Sequence, residues 1–111
     1  TSLQFTNTIE PPYALTAGSG ATTLAPNAAN GSIQTFNMST ATSLTFNGFT
    51  SAVAGQSITI IVTNNTISTI SSTMKWAGGL KTLSGTSGAI DIISVYFDGT
   101  NYYASLGRGY V

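Results

Sequence analysis

The 111-residue chain contains no cysteine and no histidine. Without thiols no disulfide can staple the fold, and a chain of this size needs none, because it can bury upwards of ~60% of the surface its unfolded form exposes. The same absences remove the commonest general base, every thiol nucleophile and the soft metal ligands, and leave any serine nucleophile without an imidazole to activate it. Charge is almost as scarce. Lys75, Lys81 and Arg108 balance Glu10, Asp91 and Asp98, 5% of residues against about 25% in an ordinary soluble domain. Three scattered cations cannot form the basic patch that phosphates require, so no nucleic-acid partner is expected. The longest aliphatic stretch, residues 58–62, falls far short of the ~20 residues that span a bilayer, so no membrane insertion is expected either. The length corresponds to one domain and excludes a two-domain enzyme.

Hydroxyl and amide chemistry takes the place of charge. Ser, Thr and Asn make up more than a third of the chain, with 12 Gly among them. The 41% hydrophobic and 10% aromatic content argues against a disordered linker, which couples low hydrophobicity to high net charge. Thr and the aromatics favour strands while Gly, Asn and Ser punctuate turns, so the composition predicts an all-β domain of short strands. The expected architecture is an antiparallel β-sandwich, jelly-roll-like, over residues 32–111. Residues 1–31 are expected to form an N-terminal arm or edge strands, since Pro11 and Pro12 cannot donate to a ladder.

The alternation of apolar and polar residues predicts strands at 32–38, 43–46, 57–64, 66–71, 90–97 and 102–106, and no helix longer than a turn or two. In 57–64, Ile58, Ile60 and Val62 share one face, which is assigned to the core. The segment 90–97 is apolar on both faces, with Ile93, Val95 and Phe97 on one and Ile90 and Ile92 on the other. It is expected to be central or covered by another subunit. The Asp98–Gly99 turn joins it to 102–106 as a β-hairpin.

Catalysis is not expected, and neither a cofactor nor a metal site is assigned. Of the acids, Asp98 falls in the hairpin turn and Asp91 at a strand start, positions that suit turn and surface roles. The candidate binding residues are Trp76, Asn101, Tyr103 and Tyr110. Aromatic faces beside amides and hydroxyls give sugar rings both stacking and hydrogen bonds, although core packing is the competing role, above all for Trp76 and Tyr102. Scarce surface charge and strand edges rich in Ile and Thr predict self-association, with a trimer as the closed solution.

The segments Lys75-Trp76-Ala77-Gly78-Gly79 and Asp98-Gly99-Thr100-Asn101-Tyr102-Tyr103, set between aliphatic strands, resemble a module found near the C-terminus of tailed-bacteriophage fibre, spike and other exterior virion proteins. The resemblance covers about two thirds of the chain. It implies a β-sandwich, often trimeric, on the virion exterior, and carries over no catalytic residue. The function expected is non-enzymatic. One reading is a fibre knob that attaches to host cell-surface glycans; another is a small capsid decoration or fibre-base protein that binds other virion subunits. A secreted carbohydrate-binding module is the reading from outside virology.

Overall fold

The computed structural model describes residues 11–111. Nine strands follow one another: β1 (Tyr13–Ala14), β2 (Ser19–Leu24), β3 (Ile33–Asn37), β4 (Thr40–Phe46), β5 (Gln56–Thr63), β6 (Ile70–Ser71), β7 (Lys75–Trp76), β8 (Ile90–Phe97) and β9 (Tyr102–Tyr110). The only helical elements among the described residues are single 3-10 turns at Ala28–Asn30 and Ala77–Gly79. The chain is all-β, as its composition predicts.

The pairing is not that of an antiparallel sandwich or a jelly roll. Successive strands alternate between two sheets, so that β1, β3 and β5 are parallel neighbours in one and β2, β4 and β6 are parallel neighbours in the other. Tyr13 pairs with Gln34, 21 residues on, and Ile33 with Thr59, 26 residues on. Three rungs of a β-solenoid result, each too small to bury its own apolar face and each completed by the next. The corners stack as well: Ala28 N donates to Thr50 O and Thr50 N to Pro26 O at one side, while Gly18 N donates to Asn37 O and Met38 N to Thr63 O at the other. Gly18 is required at its corner, because a Cβ there would lie 2.9 Å from both Ala41 Cβ and Met38 O.

The hairpin expected at 90–106 is present and closes the solenoid. β8 runs antiparallel to both β5 and β9, and β7 lies parallel to β9 at the sheet edge, giving the order β1-β3-β5-β8-β9-β7. Each inward row continues from rung to rung, as Gln34–Ile60–Ile93 and Ile58–Val95–Ala104 do. Ile58, Ile60 and Val62 form the core face assigned to them, joined from the other sheet by Leu24, Leu44, Phe46 and Ile70. Of the arm or edge strands expected over 1–31, residues 1–10 lie outside the described residues; within them, β1 and β2 are the first strands of the two sheets. The stretch 66–71 forms a strand only at Ile70–Ser71. Asn64 Oδ1 takes the Ile67 N–H, and Thr66 sits at φ 63°, so a side chain there replaces the ladder.

Two burial assignments change. β8 is central, but Ile90 and Ile92 remain half-buried and Tyr96 is exposed on its outer face. Asp91, read as a surface strand start, is 0% exposed and shares the core-facing row with Phe36 and Val62. Its Oδ2 accepts from Asn64 Nδ2 (2.8 Å), Ser84 Oγ (3.0 Å) and Ser84 N (3.3 Å), and its Oδ1 from Gly109 N (2.8 Å). Four donors compensate the loss of water around a buried carboxyl.

Candidate functional site

Residues 11–74 carry no charge at all, so every charged side chain among the described residues belongs to β7, the hairpin or their loops. The same part of the molecule holds an apolar concavity, a shallow groove of about 400 Å³ on the outer face of the six-stranded sheet. Its construction follows from strand alternation. Because Phe97 pairs with Tyr102 across the Asp98 turn, Tyr96 falls directly opposite Tyr103, and both point outward. Ser57 on β5 lies beside Tyr96, and Lys75 on β7 beside Tyr103. A second row, Thr59–Ser94–Ser105, runs next to the first.

The tyrosines are 44% and 42% exposed, so each presents ring surface to solvent at a position held by β ladder on both sides. Around them stand the hydroxyls of Ser57, Thr59, Ser94 and Ser105. The floor is the backbone of Ile58, Val95 and Ala104, whose side chains point into the core. Two tyrosines and a fringe of hydroxyls on a rigid sheet can stack on, and hydrogen-bond to, a flat polyhydroxylated ring.

The four candidate residues do not converge. Tyr103 is in the groove. Trp76 borders it, but occupies the inward row opposite Ala104, packs against the core and donates its Nε1 to Ser72 Oγ at 2.9 Å. Asn101 is half-buried in the hairpin turn, where its N–H donates to Asp98 Oδ1 at 2.7 Å. Tyr110, 55% exposed, pairs with Ile90 at the far end of β9, seven residues or about 23 Å from Tyr103. Tyr102 faces inward: its hydroxyl donates to Phe49 O, and its ring stacks on Phe97 at 4.6 Å and meets Phe49 edge-on at 5.2 Å.

Tyr96 and Lys75 line the groove although neither is among the four candidate binding residues. Counting back from the hairpin turn would have placed Tyr96 opposite Tyr103. Lys75 had no such signal, since its place depends on the parallel pairing of β7 with β9. Asp98 stands beside the site. The N–H groups of Asn101 and Thr100, with a further contribution from the Tyr103 hydroxyl, hold its carboxyl below the usual carboxylate range. No group of three or more acidic side chains that could hold a metal ion occurs among the described residues.

Comparison with known proteins finds no family model, curated protein or solved structure that matches the chain.

Proposed function

We propose that this chain is a non-enzymatic structural module of the bacteriophage virion exterior, self-associating as a trimer, which attaches to host cell-surface glycan through the groove around Tyr96 and Tyr103. The observation that carries the binding reading is the exposed tyrosine pair, fixed side by side on a three-strand ladder and bordered by serine and threonine hydroxyls. The virion assignment rests on the residues at 75–79 and 98–103 that resemble exterior phage modules, two segments that flank this groove. Self-association is supported by the outer face of β8, where Ile90 and Ile92 are only half-buried.

Tyr96→Ala and Tyr103→Ala test the binding reading on host cells and on a glycan array. Truncation at these exposed positions is expected to abolish binding with the far-ultraviolet spectrum and melting temperature kept. A double variant that binds as well as the parent refutes the site, and a parent that binds neither cells nor glycans refutes attachment. A secreted carbohydrate-binding module would use the same groove; labelling the protein at virion appendages separates the two locations.

The decoration reading has its own support. Among the described residues β2 forms one edge of the three-stranded sheet, six residues long, with no charge and no proline within it. Edges without such blunting accept a further strand. Ala21→Lys, at an exposed position of that edge, is expected to block assembly with other virion subunits while sparing glycan binding.

A further inference from the structure

We infer that the glycan taken by this groove carries a carboxylate and that Lys75 is the residue that selects it. The inference rests on the groove reading above and adds the ligand's charge and orientation. Lys75 is the single charged residue lining the groove. It is exposed, and no carboxyl among the described residues forms an ion pair with it. An ammonium left unpaired beside aromatic faces offers three donors to an anionic oxygen.

Its position is fixed by its neighbours. Met74 is buried and Trp76 packs against the core with its indole N–H on Ser72, so the backbone of Lys75 is held at both sides while its stem points outward. Parallel register sets it next to Tyr103, completing the outward row Ser57–Tyr96–Tyr103–Lys75 across four adjacent strands. At one strand spacing per step that row is about 15 Å long. A sugar ring lying on the tyrosines would thus have a cation at one end of the row and hydroxyls at the other and along its flank.

Asp98 bounds the charge that fits. Its carboxyl caps the hairpin turn through Thr100 N and Asn101 N, within reach of the Tyr103 hydroxyl. One acid group directed at Lys75 avoids it, whereas a densely sulfated or phosphorylated chain would set anions against it. The ligand class is a uronic or sialic acid within an otherwise neutral glycan.

The test is a panel of bacterial polysaccharide repeats with neutral, uronic, sialic and sulfated members, probed with the parent protein, Lys75→Gln and Lys75→Arg at low salt. Carboxylated members are expected to bind best, to weaken about tenfold in Lys75→Gln, as loss of a charge-assisted hydrogen bond implies, and to recover in Lys75→Arg. Reducing the carboxylate of a bound glycan to the alcohol is expected to weaken it equally for the parent and not at all for Lys75→Gln. Neutral glycans that bind the parent as tightly as their carboxylated counterparts, with both unaffected in Lys75→Gln, overturn this inference and leave the groove reading standing. Carboxylated glycans that bind Tyr103→Ala as well as the parent, or no binding by any member, overturn both.

Discussion

Replacing Asp91 with alanine is expected to remove a large share of the domain's stability, although the residue lies outside the groove. The side chain is fully buried and receives four hydrogen bonds from three separate places in the chain: Asn64 after β5, Ser84 in the loop before β8, and Gly109 near the end of β9. Asn64 keeps partners in Ile67 O and Ser84 Oγ after truncation, and the Ser84 hydroxyl can turn. The Ser84 and Gly109 N–H groups lose their acceptor outright. At about 1–3 kcal/mol for each orphaned donor, the loss comes to about 4 kcal/mol with the weakened Asn64 and Ser84 contacts included. A domain of this length has of the order of 5–15 kcal/mol in total. Urea unfolding followed by Trp76 fluorescence measures the change, with an unaltered slope as evidence that the same structure is lost. Ser84→Ala removes the hydroxyl's bond to Asp91 and the longer ones it accepts from Asn64 Nδ2 and Thr86 N, keeps the Ser84 N–H on the carboxyl, and is expected to cost about 1 kcal/mol. An Asp91→Ala protein within about 1 kcal/mol of the parent would show that water reaches these donors, and would refute the clamp.

The aromatic cluster gives a second expectation. Tyr102→Phe keeps the ring contacts and loses the bond to Phe49 O, a cost of about 1 kcal/mol, whereas Gly48→Ala is expected to cost more because its Cβ would lie 2.7 Å from the Tyr102 ring at φ +140°. Melting temperatures in the opposite order would contradict this packing. Acid dependence follows from Asp98, whose folded pKa lies below the unfolded value of about 3.9. Its contribution is present in full above about pH 5 and fades as pH falls through the lowered folded value, so melting is expected to stay level from pH 5 to 9 and drop only in acid. A shift of more than roughly ten degrees between pH 5 and 9 would reveal another titrating group. Sedimentation at micromolar concentration is expected to return a trimer mass; a monomer counts against self-association.

Strand positions were legible because alternation is local. Residues 90–97 form the expected strand without a residue's difference, and 57–64 is displaced by one. The hairpin was legible for the same reason, since a Gly-containing turn of fixed length sets which residues face each other. Tyr103 could therefore be proposed from sequence, and Tyr96 follows from the same count. Trp76 could not be placed, because an indole with a core neighbour and one on a surface read alike in a chain. Asp91 misled because its acceptor role depends on donors 27, 7 and 18 residues away.

Composition and alternation alone establish an all-β chain, the positions of its alternating strands, and a hairpin that turns at Asp98. The direction of pairing is set instead by contacts between segments far apart in the chain. Strand alternation is identical in parallel and antiparallel ladders, and the rung repeat changes from 21 to 26 residues with little shared identity, so no period announces the solenoid. The groove depends on that decision: Tyr103, Tyr96 and Ser57 meet through antiparallel register, and Lys75 joins them only because β7 returns parallel to β9.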